Sequence, residues 1–198
     1  GNIGSLRRTK YAAVGSNVNL AGRIESFTTG GQLLISENTR EKIQSPLRLD
    51  GQYKVEPKGA TRSLQLYEVG GIGEPFNLSL PSRSETLCPL PQPLPIRFTV
   101  LEEKFVGRTV HEGRLAAVSE SEAGIESALA LVPLSNLKIE IEPVSGANPG
   151  GEIYAKVIGA TTDASGQTRI RFTSVSPDLK AWMQQTAARL GSVPAKTT

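Results

Sequence analysis

Cysteine and histidine are nearly absent: Cys88 and His111 are the only ones in 198 residues. A single cysteine excludes an intrachain disulfide, and one Cys with one His cannot complete a four-ligand zinc site. Such cysteine usage suits a reducing, cytoplasmic setting. Aromatic residues are scarce at 5%, which leaves few rings to stack on bases; no DNA partner is expected. No apolar run approaches the ~20 residues that span a bilayer. The opening Gly1-Asn2-Ile3-Gly4-Ser5 has no leader pattern and no initiating Met, so a longer parent protein is expected.

Charge is modest, 22 Lys+Arg against 19 Asp+Glu, but it is unevenly spread. Residues 1–70 hold 10 basic and 6 acidic side chains, and residues 71–198 hold 12 and 13. A basic first part can meet phosphate, or it can be a solvated surface.

Proline is the clearest mark of organisation. Pro75, Pro81, Pro89, Pro91, Pro93 and Pro95 crowd into residues 71–95, nearly half of the chain's 13 prolines. Proline lacks a donor N–H and fixes φ, so this stretch reads as an extended Pro-rich linker that neither a helix nor a central strand survives. The chain divides accordingly into residues 1–70, the linker 71–95, a second unit 96–190 and a disordered polar tail 191–198.

In the first unit, Lys10–Val14 is a strand candidate. Residues 17–27 read as a helix, capped by Ser16 or Asn17 and ended by Gly30-Gly31. A buried strand over 32–36, a short helix over 37–44 and a closing strand over 64–69 follow. Seventy residues of this kind make a small core that wants more protein beside it. In the second unit, apolar and β-branched stretches at 96–101, 113–118, 124–131, 137–143, 152–159 and 167–173 predict six strands. Turn-rich breaks at Ser145–Gly151 and Thr162–Gly166 separate some of them. Six strands at this spacing suggest a small barrel or sandwich. A final helix over 178–190, with Pro177 in its first turn and Ser176 as a cap, would lay Leu179, Trp182, Met183 and Leu190 on the barrel.

The residues richest in chemistry lie on the first predicted helix. Asn19 and Arg23 are four apart, so they share a face one turn from each other. Arginine presents a planar, permanently charged fork that matches phosphate oxygens. Asparagine offers both a donor and an acceptor, suited to a ribose hydroxyl. The same pair also suits a merely solvated face.

The run Gly15-x-x-Val18-Asn19-x-Ala21-x-Arg23-x-Glu25, after Tyr11, resembles the signature of class III nucleotidyl cyclases. The flanks are similar too: Gly1–Ser5 with Arg7, Arg8 and Tyr11 before it, then Gly31–Ser36, Lys58-Gly59 and Tyr67-Glu68-Val69 after it. The resemblance covers nearly all of residues 1–70 and matches the C-terminal half of that catalytic domain. It implies a partial ferredoxin-like fold, an α+β arrangement, and conversion of ATP or GTP to the 3′,5′-cyclic nucleotide with release of pyrophosphate. It implies that Asn19 orients the ribose, that Arg23 stabilises the pentavalent phosphorus, and that Lys58 contacts the triphosphate. Ala12 stands where the family places an Asp or Thr that helps read the purine, and its methyl cannot hydrogen-bond. The family's metal-binding aspartates belong to the N-terminal half-domain. Mg²⁺ or Mn²⁺ is therefore expected in the complete enzyme with no ligand from this chain, which alone should be inactive. A homodimer through the complete domain is implied.

The second unit resembles PilZ domains, six-stranded barrels with a C-terminal helix that bind cyclic di-GMP. Ser121 and Gly124 match the barrel-strand motif, Ser119 replaces its Asp or Asn, and Arg171-Phe172 follows in order. The family's R-x-x-x-R linker motif is missing; the linker offers only Arg83. Bound cyclic di-GMP would lean on such arginines, so a barrel without the ligand is the favoured expectation. Two functions follow: a cyclase fragment with a PilZ-like regulatory domain, or a non-catalytic cyclase-like signalling and interaction module.

Overall fold

The computed structural model describes every residue except 6–7, 57–62, 82–84, 103–104, 107–108, 145–147, 160–165 and 192–198. Arg7, Lys58, Arg83, most of the two expected turn-rich breaks and the expected tail beyond Gly191 therefore lie outside the described residues. The chain forms two compact units, Gly1–Pro81 and Ser82–Thr198.

In the first unit, β1 (Asn2–Ser5) and β2 (Arg8–Tyr11) form an antiparallel hairpin that is a two-stranded sheet of its own. The strand expected at 10–14 thus lies earlier. The ladder extends one step: the Ala12 N–H donates to the Gly1 carbonyl at 2.9 Å, and the Gly1 amine to the Ala12 carbonyl at 3.0 Å. α1 (Ser16–Phe27) begins on an extended Gly15, with no side-chain cap. Neither Ser16 nor Asn17 caps it, because the helix starts one residue earlier than its sequence suggests. It ends at Thr28, before the expected glycines, where the Thr28 N–H and hydroxyl both donate to the Glu25 carbonyl.

β3 (Leu34–Ser36) runs directly into α2 (Glu37–Lys42). Ser36 caps α2 by accepting the Thr39 N–H at 3.3 Å, and Glu37 at its start with Arg40 and Lys42 at its end suit the helix dipole. β4 (Leu47–Val55), β5 (Leu64–Ile72) and β6 (Leu78–Ser79) complete the unit. The antiparallel order is β3-β5-β4, with β6 beside β5. β5 supplies the buried Leu66, Tyr67 and Val69, and Leu34 of β3 and Val55 of β4 are buried beside it; Leu66 and Tyr67 are consecutive and so face opposite sides of the sheet.

The second unit is a closed barrel. Its strands are β7 (Cys88–Glu102), the short β8 (Phe105–Val106), β9 (His111–Val118), β10 (Glu122–Ser127), β11 (Asn136–Ile141), β12 (Gly151–Gly159) and β13 (Thr168–Val175). Six of them run β7-β9-β10-β13-β12-β11, and β11 pairs back onto β7, with Ile139 opposite Phe98. Alternation aims one face of each strand inward: Leu137, Ile139 and Ile141 of β11, Ile153, Ala155 and Val157 of β12, Ile170 of β13, and Ile96 and Phe98 of β7 are all buried. α3 (Pro177–Gly191) closes the core with buried Leu179 and Met183, and Trp182 and Leu190 pack against it, as the sequence suggested. Ser176 gives its carbonyl to the Lys180 N–H, but its buried hydroxyl has no hydrogen-bond partner among the described residues, so its side chain does not cap.

Residues 71–95, expected as linker, carry strand at both ends. Gly71 and Ile72 finish β5, Leu78 and Ser79 form β6, and Cys88–Pro95 open β7. β7 pairs Pro89 with Ala117, then breaks register and resumes with Leu94 opposite Leu115. The proline run lacks ladder donors, so it bulges out of the pairing while staying extended.

Candidate functional site

α1 carries the first set of candidate residues. None of its residues is buried, and Asn19 and Arg23 are both exposed on it. Among the described residues neither side chain makes a hydrogen bond or ion pair, so a ligand would meet both without breaking an internal contact. The Asn19 N–H is spent on the Gly15 carbonyl at 3.0 Å, which fixes the first turn. Ala12 sits half-buried just after β2 and engages Gly1 through its backbone alone. Around α1, Tyr11, Val14, Val18 and Leu33 remain exposed.

Among the described residues no three His, Cys, Asp or Glu side chains gather. Asp50, the unit's only aspartate, is occupied by Arg48, whose Nε and Nη2 donate to its two oxygens at 2.9 and 3.2 Å. Tyr53 donates to Glu68 at 2.8 Å, and Tyr67 lies 3.4 Å from Glu37. These residues do not fit the divalent ions that the resemblance implies.

The barrel brings a second set together on the outer side of β10 and β13. Ser119 is buried in the turn between β9 and β10; its Oγ donates to the Glu122 carbonyl and accepts the Glu122 N–H, each at 3.1 Å. Its role is to tie this turn. Glu122 is 1% exposed and neutralised from β13 by Arg169 Nε at 2.6 Å and Arg171 Nη2 at 2.6 Å. Ser121 faces Glu85, with its N–H at 3.0 Å and its hydroxyl at 2.5 Å from the carboxylate oxygens. Arg169 also donates to the Glu85 carbonyl. Burial alone would raise the Glu85 carboxyl, but hydrogen bonds from Ser119 and Ser121 and the charge of Arg171 outweigh it and hold it below its usual value. A methyl at Gly124 would lie 2.4 Å from Gln167 Oε1 and 3.5 Å from Leu87 Cδ1, so the close packing of that side chain uses the glycine.

Sequence reasoning brought Ser119, Ser121 and Gly124 to notice and missed Glu85, Glu122 and Arg169. The available signal was Arg169-Ile170-Arg171, whose alternation places both arginines on the face opposite buried Ile170. Lys156 of β12, opposite Arg171 in register, was also missed; burial pushes its ammonium down to about 8.

No family model matches the chain. A stretch of 60 residues is 33% identical to a protein of Acanthamoeba polyphaga mimivirus named as a serine/threonine-protein kinase/receptor, covering 30% of this chain and 4% of that protein. The crystal structure of the guanylyl cyclase Cya2 aligns over 41% of this chain and 41% of its own, with 51% identity and a TM-score of 0.38. The chain thus spans under half the length of these two proteins. No helix among the described residues is long and apolar enough to cross a membrane.

Proposed function

We propose that residues 1–70 are the C-terminal half of a class III nucleotidyl cyclase domain, and that α1 supplies two working side chains to a site completed by protein outside this chain. The observation that carries this reading is the cyclase-like run from Gly15 to Glu25 folded as a helix with Asn19 and Arg23 exposed, uncommitted and one turn apart. Asn19 would hold the ribose of ATP or GTP while Arg23 receives charge on the α-phosphate oxygens. The 3′-oxygen forms the new bond to phosphorus, the bond to the bridging oxygen breaks, pyrophosphate leaves and the hydroxyl proton passes to solvent. A positioned amide and a guanidinium aimed at developing charge are what such a displacement draws from protein. Exposed Tyr11, Val14, Val18 and Leu33 around an α1 that buries nothing favour further protein packing there. A homodimer through the complete domain would provide it.

The barrel, in this reading, is a PilZ-like regulatory domain. Its Arg169 and Arg171 already serve Glu122, which favours a regulatory contact over cyclic di-GMP as its working ligand.

The test is cyclic AMP and cyclic GMP formation by the full-length parent with Mg²⁺ or Mn²⁺, beside Asn19→Ala. A loss of orders of magnitude in the variant supports the reading. A folded, dimeric wild type that makes neither product would instead support the non-catalytic module, which the substitution of Ala12 at the purine-reading position also favours.

A further inference from the structure

A groove runs between β7 and α3 in the barrel unit. One wall is the proline bulge of β7. Its prolines cannot donate to the β9 ladder, so the chain leaves register after Pro89 and rejoins it at Leu94. Leu90, Pro91, Gln92 and Leu94 line the groove from this side. The other wall is α3. Leu179 and Met183 are sunk in the core and set the helix rotation. That rotation turns Trp182, Gln185, Thr186 and Arg189 to the groove, the i, i+3, i+4 and i+7 positions of one face. The space measures about 490 Å³, within the range that holds small organic ligands.

The lining sorts by chemistry. Leu90 and Leu94 are aliphatic, and Trp182, packed partly against the core, adds a flat indole. Pro91 is a ring of fixed φ, and a wall that is rigid beforehand loses little freedom on binding. Gln92 and Gln185 bring amides that donate and accept. Arg189 is the only charged side chain among the described lining residues, and no carboxylate is among them. A flat apolar wall beside one guanidinium fork complements a flat ring that carries one carboxylate.

We propose that the groove between the β7 bulge and α3 binds a small aromatic carboxylate, its ring against Trp182 and its charge on Arg189. The site stands on the barrel alone and is independent of the cyclase reading of α1. Arg189 lies in the last turn of α3, where the helix dipole by itself repels an anion. The guanidinium is therefore what admits one. A neutral ring gains only the apolar contact, and a flexible aliphatic carboxylate matches Arg189 without matching the flat wall.

Trp182 is the chain's only tryptophan, so its indole N–H signal in NMR reports this groove alone. The full chain is titrated separately with 2-naphthoate, with the uncharged 2-naphthamide and with octanoate. We expect 2-naphthoate to move the indole signal and to bind at least about ten-fold more tightly than either of the others. Arg189→Gln should bring 2-naphthoate down to the level of 2-naphthamide. No movement of the signal by 2-naphthoate, or a smaller margin over either comparison compound, overturns the proposal. So does a folded Arg189→Gln that binds 2-naphthoate like wild type. If that variant does not fold, Gln185→Glu, which sets a carboxylate into the exposed rim, is judged by the same criterion. Failure of both to fold also overturns the proposal, because this face of α3 is then structural.

Discussion

Arg171 lies directly across the β10–β13 ladder from Glu122 and closes on one of its carboxylate oxygens with two nitrogens, at 3.0 and 2.6 Å. Arg169, two residues earlier on β13, takes the other oxygen. The pair is sealed: Glu122 is 1% exposed at its side chain, against 14% for Arg171. A buried carboxylate of this kind is held by its partners, and removing its charge strands two guanidinium groups in a poorly solvated place.

Glu122→Gln should therefore destabilise the barrel by about 3 kcal/mol, the cost of breaking one side of a buried pair. Urea denaturation of wild type and variant reads this directly. A change within the range of an ordinary surface substitution would show that solvent reaches the arginines.

α3 is fastened to the barrel chiefly through Leu179 and Met183, at 0% and 1% exposure. Leu179→Ala should cost about 2–5 kcal/mol, from lost burial and the cavity left behind. Leu190→Ala, at a half-buried position near the helix end, should cost less. Thermal unfolding of the two variants side by side checks the order.

Lys156 gives a pH dependence of known sign. Its folded value is lowered to about 8, while the unfolded chain has a lysine near ~10.4. Between those values the unfolded state holds a proton that the folded state has released. The contribution of Lys156 to stability therefore rises with pH across that window and is flat below it. Stability measured in urea at pH 8 and pH 10 should rise by about 2 kcal/mol more in wild type than in Lys156→Met. Equal changes would show that Lys156 stays charged in the fold.

The barrel was legible because its strands advertise a period of two. Leu137-Ile139-Ile141 and Ile153-Ala155-Val157 alternate with polar residues, and each apolar set is buried. The first unit was less so. No strand was expected where β4 lies; it carries Asp50-Gly51, residues poor in strand propensity, which the fold absorbs in register shifts near Leu49 while Arg48 pins Asp50. The proline run was read as linker because missing donors argue against a ladder, and β7 accommodates it by leaving the ladder between Pro89 and Leu94. On α1, the four-residue spacing of Asn19 and Arg23 was visible at once, since local periodicity decides a helix face. The cluster of Glu85, Glu122, Arg169 and Arg171 was not, because its members meet across 47 to 84 positions of sequence. Only strand pairing brings them together.

The central claim is that Arg23 meets charge that develops in the transition state. The decisive measurement is the cyclase rate of the full-length parent carrying Arg23→Ala, with kcat and KM resolved. The account predicts a fall in kcat of about 10²–10³-fold with KM little changed, and unchanged thermal stability, since the exposed Arg23 side chain engages none of the described residues. An active parent whose kcat is untouched by Arg23→Ala would contradict it.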